Sequence, residues 1–216
     1  MKNNNQVSIP VIKRLPRYHR YLEELKNIGV VRISSKELSQ RMGLTASQIR
    51  QDLNCFGGFG QQGYGYNIEQ LYNEIGLILG INKKSKAIMI GAGNLGHAIA
   101  THLHFENRGF DLVGIFDNNP LVVGTQIGGK TVLNSADLEE FCKAEKPVVA
   151  ILCIPAEYAA ENADKLVSLG IKGFWNFTQY DLMSRYDDIA VENVHLGDSL
   201  MTLCYQINKS SDNNEV

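Results

Sequence analysis

The sequence predicts an α/β protein in which a small, basic helical module precedes a mainly parallel sheet wound with helices. Three observations predict it. Two short capped helices meet at a tight Gly43-Leu44 turn; Gly91, Gly93 and Gly96 sit between an apolar strand and a helical pattern; and strand and helix signals alternate from there to about Val194. The implied order is a winged-helix domain over 1–80, a Rossmann-like dinucleotide-binding domain over 86–194, a C-terminal helix over 195–209 and a polar tail over 210–216.

Composition narrows the class. The 216 residues are 44% hydrophobic and 20% charged, as in an ordinary soluble protein. Met1 to Gln6 is polar without a leader pattern, and no apolar run approaches the roughly 20 residues of a membrane span, so no membrane partner is expected. Cys55, Cys142, Cys153 and Cys204 are far apart and form no CxxC pair, which argues against a zinc site or a disulfide framework and fits buried thiols in a reducing cytoplasm. A net charge of −2 hides an asymmetry: through Tyr66 there are ten Lys or Arg against four Asp or Glu, and after it eleven against nineteen. The basic end is the candidate polyanion binder.

In order along the chain, Pro16 is expected to start a helix that places Tyr18, Tyr21, Leu22, Leu25 and Ile28 on one face and ends at Gly29. Ser34-x-x-Glu37 and Thr45-x-x-Gln48 are capping boxes for the second and third helices. In the third, Ile49, Leu53 and Phe56 face inward. Ser47, Gln48, Arg50, Gln51 and Asn54 face outward, with the hydrogen-bonding types that read base edges in a major groove. Gly57 to Tyr66 reads as a glycine-rich wing hairpin. Arg14 just before the first helix and Arg17 in it, with Gln61, Gln62 and Tyr64 on the wing, complete the expected contacts to double-stranded DNA. Asn67 caps a further helix with Ile68, Leu71, Ile75 and Ile78 on one face, and Gly80 to Ser85 is the expected domain boundary.

Ala87 to Ile90 is a buried-strand run, followed by Gly91, Ala92, Gly93, Asn94, Leu95 and Gly96. Gly91 permits the turn, Gly93 lets backbone approach a pyrophosphate, and Gly96 lets helix and strand pack closely. The helix N-terminus supplies free amides for phosphate. Phe110 to Phe116 is the next strand. It ends at Asp117, beside Asn118 and twenty-one residues after Gly96, where such folds place the carboxylate that binds both ribose hydroxyls. An acid there repels a 2′-phosphate, so NADH or NAD⁺ is the expected ligand. Val122 to Val132 suggests a hairpin insertion around Gly128-Gly129. Val148 to Ile154, Gly173 to Phe177 and Ile189 to Val194 are strands, with a helix from about Glu157 to Leu169. Ligands in parallel sheets lie at the carboxyl ends of strands, which assigns Ile154, Pro155, Asn176 and Phe177 to the nicotinamide half. The last helix, from about Leu196 to Asn208, is apolar nearly all round and therefore expected to be buried on more than one side, in part by another subunit.

A catalyst is hard to place. A dehydrogenase needs a substrate domain and an acid or base facing the nicotinamide, and nothing large follows the dinucleotide fold. His102 and His104 diverge on their helix, and no Ser-His-Asp or paired-carboxylate pattern occurs. The chain is therefore read as a non-enzyme. The competing readings are an NAD-dependent oxidoreductase with an atypical N-terminal domain, and a DNA-binding protein whose dinucleotide fold holds coenzyme A or is vestigial.

These residues resemble the redox-sensing transcriptional repressor Rex family. The similarity runs in order through KRLPRYHRYLEEL, RISSKELSQ, QIRQDL, FGGFGQQGYGYN, GAGNLG, GIFD, CIPA, GIKGFWNF and VENVHL. It implies a homodimeric repressor on a pseudo-palindromic operator, NAD(H) in each nucleotide domain, a C-terminal helix exchanged between subunits, and Leu196 of the partner over the nicotinamide. A second basic residue is frequent in the family where Gln51 stands, and a basic pair where Gln61 and Gln62 stand. Phosphate contact should accordingly be weaker, or the preferred operator altered. A tyrosine and an acid that report nucleotide state are replaced by His102 and His195. These two, with Asp198, are the candidate switch and dimer contacts, and the familiar hydrogen bond is not carried over.

Overall fold

The computed structural model describes residues 7–57, 59–61 and 64–212, with backbone alone at 61 and 210–212. Gln62, expected on the wing, and the final residues 213–216 of the expected tail lie outside the described residues. The chain divides into two compact units, Met1–Asn82 and Lys83–Val216.

The first unit opens with α1 (Ile9–Asn27), seven residues before the start expected at Pro16. Pro10 occupies its first turn, where a missing N–H costs nothing, whereas Pro16 lies inside the helix. An interior proline costs about 3 kcal/mol. Val11 and Leu15 before it and Tyr18, Leu22 and Leu25 after it are all buried, each contributing about 1.5–3 kcal/mol, so packing carries the helix through.

A short strand β1 (Arg32–Ile33) leads to α2 (Ser35–Met42). Both halves of its capping box form, with Ser34 Oγ accepting the Glu37 N–H at 3.1 Å and Glu37 Oε2 accepting the Ser34 N–H at 2.8 Å. In α3 (Ala46–Asn54) Thr45 Oγ1 accepts the Gln48 N–H at 3.1 Å, but the Gln48 side chain turns to Asp52 rather than back to the cap, so only half of the second box exists. The wing is β2 (Gly60–Gln61) paired antiparallel with β3 (Gly65–Asn67), which also pairs with β1. In α4 (Ile68–Leu79), capped by Asn67, the buried face is Ile68, Leu71 and Ile75. Leu79 packs on the core in place of the expected Ile78. Ile49 and Leu53 join Leu15, Tyr18, Leu22 and Leu38 in one core, with Phe56 partly buried against it.

The second unit is a seven-stranded sheet in the order β10-β9-β8-β4-β5-β7-β6. Its strands are β4 (Ser85–Ile90), β5 (Phe110–Asp117), β6 (Gln126–Ile127), β7 (Lys130–Asn134), β8 (Val149–Leu152), β9 (Gly173–Asn176) and β10 (Ala190–Asn193). All neighbours are parallel except the β6–β7 hairpin. That hairpin was expected as an insertion, yet β7 pairs parallel with β5 and extends the sheet. The helices are α5 (Asn94–His102), α6 (Leu138–Glu145), which went unanticipated, α7 (Ala159–Ser168) and α8 (Leu196–Asp212). Alternation along β4 splits the core: Ile88 and Ile90 join Phe116, Leu152, Leu138 and Leu166 on one face, while Ala87 and Met89 join Ile115, Ile151 and Ala100 on the other. On the second face Phe105, Val149, Ile151, Trp175 and Val191 bound an apolar hollow of about 430 Å³.

Helix α8 continues to Asp212, three residues into the expected tail. Its apolar residues are not buried within the chain: Leu196, Leu200, Met201 and Tyr205 are each more than 60% exposed. Among the described residues no helix is long and apolar enough to cross a membrane.

Candidate functional site

The glycine turn between β4 and α5 has three glycines with three different physical reasons. Gly91 has φ +97°, and a Cβ on it would lie 2.5 Å from the Cys153 carbonyl oxygen; a Cβ on Gly96 would lie 2.1 Å from the Gly91 carbonyl oxygen. Both are fixed by the protein's own packing. Gly93 differs, because a Cβ there meets nothing within 4 Å and its φ of −67° suits any residue. Nothing among the described residues requires glycine at 93, and the space beside it is open. The first intrahelical bond of α5 runs from the His97 N–H to the Gly93 carbonyl, which leaves the Asn94, Leu95 and Gly96 amides without helical partners at the positive end of the helix. That end suits phosphate.

Asp117 closes β5 beside this turn. One of its oxygens accepts the Ala92 N–H at 2.7 Å and the other accepts the Asn119 N–H at 2.8 Å. The amide of Ala92, one of the expected cofactor-binding residues, is thus committed to holding the carboxylate in place. Each carboxylate oxygen keeps a second lone pair, enough to accept two ribose hydroxyls.

A cleft of about 380 Å³ brings together Gly91, Gly93, Asp117, Asn118, Ile154 and Pro155 from the expected set. It adds Ser135, Cys153, Tyr158 and Asn162, which sequence reasoning missed. Ser135 follows β7, and recognising β7 as a sheet strand would have placed it at a carboxyl end. Burial pushes the Cys153 thiol up to about 12, so it is an apolar wall and not a thiolate.

Ala92, Asn94, Leu95 and Gly96 of the glycine turn do not line this cleft, and of the five residues expected around the nicotinamide three lie outside it. Asn176 is fully buried and spent: its amide nitrogen donates to the Tyr180 carbonyl and to Asn193 Oδ1, each at 2.8 Å, and its oxygen accepts the Thr178 N–H and hydroxyl. With both donors and both lone pairs used, it positions the ends of β9 and β10 rather than touching a ligand. Phe177 packs edge-on against Trp175, with ring centroids 4.6 Å apart. Leu196 is 61% exposed at the start of α8. His102, His195 and Asp198 are also exposed, and no hydrogen bond joins His102 to His195 among the described residues.

In the first unit, Ser47, Arg50, Gln51, Asn54 and Cys55 line an open groove on α3. Arg50 donates to Ser35 Oγ at 3.1 Å and stays exposed, as does Arg17. Tyr64 is 70% exposed on the wing. Gln61 contributes backbone to β2, and its side chain lies outside the description.

Arg14 departs from expectation. Its Nε and Nη2 donate at 2.6 and 2.7 Å to the two oxygens of Asp52, a fully buried carboxylate that sequence reasoning missed. Tyr18 donates to the same group at 2.9 Å and Gln48 at 2.8 Å. Burial opposes the charge on Asp52, but hydrogen bonds from Arg14, Gln48 and Tyr18 outweigh it and hold the carboxyl below its ordinary value. Arg14 therefore locks α3 to α1, its charge neutralised.

Comparison with known proteins follows the same division. Residues 6–54 match the family model for a putative DNA-binding protein N-terminus, and 82–180 match that for a CoA binding domain. A redox-sensing transcriptional repressor Rex of Thermoanaerobacter pseudethanolicus is 56% identical over 97% of this chain and 93% of its own. One of Clostridium botulinum is 49% identical over 97% and 99%. Among solved structures, RSP in complex with β-NAD⁺ and operator DNA aligns with a TM-score of 0.87 and 54% identity, over 98% of this chain and 97% of that one. RSP in complex with β-NADH aligns at 0.88 and 51%, over 98% and 99%. With that identity carried through both units, the chain belongs to the redox-sensing transcriptional repressor Rex family.

Proposed function

We propose that this protein is a homodimeric, cytoplasmic transcriptional repressor that binds a pseudo-palindromic operator and releases it when NADH occupies the cleft. One observation carries the reading. A capped recognition helix with an exposed polar face lies in one unit, and in the other a glycine turn with free helix amides and open space at Gly93 sits beside a ribose-binding carboxylate. The relatives bound to NAD⁺ with operator DNA, and to NADH, support both halves.

Dimerisation follows from uncovered apolar surface. Helix α8 exposes Leu200, Met201, Leu203, Tyr205 and Ile207, and a second copy is the partner that such a surface needs. Four free cysteines fit a reducing compartment. Ser47, Arg50, Gln51 and Asn54 face the operator, while Ile154, Pro155 and the partner's Leu196 surround the nicotinamide. A neutral ring is cheaper to bury there than a cationic one, so NADH favours closure of the two nucleotide domains and swings the recognition helices out of half-site register. His102 at the end of α5, and His195 and Asp198 at the start of α8, are the candidate switch and dimer contacts.

The test is operator binding titrated separately with NADH and NAD⁺. NADH should dissociate the complex at concentrations at which NAD⁺ does not. Equal effects of the two nucleotides, or none from either, would overturn the redox reading.

A further inference from the structure

Gln48 differs from the other polar residues of the α3 face in having its orientation fixed by the protein. Asp52 is fully buried, and each of its oxygens receives two hydrogen bonds, so it is an ionised acceptor with no proton to give. The Gln48 atom that faces it 2.8 Å away must therefore be the amide nitrogen, which settles an orientation usually left open in a glutamine. One of the two amide hydrogens is consumed. The second N–H and the carbonyl oxygen remain, on a side chain that is only partly buried at the third position of a helix whose first turn enters a major groove.

That remaining pair, one donor and one acceptor, is the complement of adenine N7 and its 6-amino group. Thymine and guanine edges offer acceptors only in hydrogen bonding, and cytosine only a donor, so none of these three bases alone satisfies both. The geometry points to Gln48 as the residue that selects an adenine in each operator half-site, with Asp52 as the positioning residue that holds its amide. The inference rests on the DNA-binding reading above and adds a base identity to it. Arg14 acts at one remove, since its two bonds keep Asp52 charged and in place. A glutamine without this buttress would first have to be ordered at the cost of its side-chain entropy.

The experiment selects random DNA duplexes on the full-length protein and on two variants, Gln48→Ala and Gln48→Met. Both leave three of the four hydrogen bonds on Asp52. The unaltered protein should enrich adenine at one position of each half-site, and both variants should lose that preference while keeping the others. In the selected duplex, 7-deazaadenine at that position removes the N7 acceptor. It should weaken the unaltered protein by roughly two- to tenfold, the net worth of one of the two hydrogen bonds, and leave both variants unaffected. Retained adenine preference in a variant, or indifference of the unaltered protein to 7-deazaadenine at every adenine, overturns the assignment. The second arm needs no variant to fold. If the unaltered protein enriches no sequence at all, the DNA-binding reading itself fails, an outcome visible before any variant is compared.

Discussion

Replacing Gly93 by valine and Gly96 by alanine should separate ligand binding from folding within a single turn. At Gly96 the added Cβ would sit 2.1 Å from the Gly91 carbonyl oxygen, and backbone cannot move aside as a flexible side chain can. Overpacking of that kind costs about 1–3 kcal/mol or more, so Gly96→Ala should lower the thermal midpoint of the second unit by several degrees, on the order of 3–5 °C per kcal/mol for a unit of this size. At Gly93 the same atom enters open space with ordinary backbone angles, and the cost to the fold is only that of a poorer helix cap, at most about 1 kcal/mol. The effect on nucleotide is reversed in size. A branched side chain at 93 holds the pyrophosphate off the helix amides, and losing two charge-assisted hydrogen bonds at about 1.5–3 kcal/mol each gives about 3–6 kcal/mol, a drop in NADH affinity of more than roughly a hundredfold. NADH fluorescence titration measures the second quantity, calorimetric melting the first, and operator binding should persist in Gly93→Val. A Gly93→Val protein that bound NADH normally, or melted as early as Gly96→Ala, would refute the reasoning.

Three further outcomes are expected. Arg50→Ala should weaken operator binding by about 1–3 kcal/mol without altering urea unfolding, since the side chain is exposed and its one bond here is to Ser35; unchanged binding would remove Arg50 from the interface. Asp52→Asn should destabilise the first unit by about 2–4 kcal/mol, a little below the cost of breaking a fully buried pair because Arg14 keeps some exposure. A carboxyl held below its ordinary value of 3.8 stabilises the fold fully above that pH and loses its contribution as the pH falls below it. The unaltered protein should therefore lose urea resistance under acid more steeply than Asp52→Asn, and parallel pH profiles would contradict this. Deleting 196–216 should abolish dimerisation, operator binding and discrimination between NADH and NAD⁺ together; a truncated chain still dimeric by sedimentation and still released by NADH would sink the role given to α8.

Features set by neighbours in the chain were legible from the sequence. The Ser34–Glu37 box and the Asn67 cap each join residues three apart, and the glycine turn is announced by the strand before it and the helix after it, so local chemistry suffices. Asp117 was legible for a similar reason, since a strand of fixed length delivers its last residue to the sheet's edge. What depended on distant partners was not. Pro16 looks like a helix start until the buried residues on both sides of it are counted, and β7 reads as part of an insertion until β5 pairs with it. Asn176 and Arg14 carry the chemistry of ligand contacts, and only tertiary structure shows where that capacity goes: all of the Asn176 amide on Asn193 and its loop, and two of the five Arg14 N–H donors on a carboxylate thirty-eight residues away. A polar side chain has the same donors and acceptors whether it faces DNA, nucleotide or protein. Sequence determines that inventory, and the fold decides which partner arrives first.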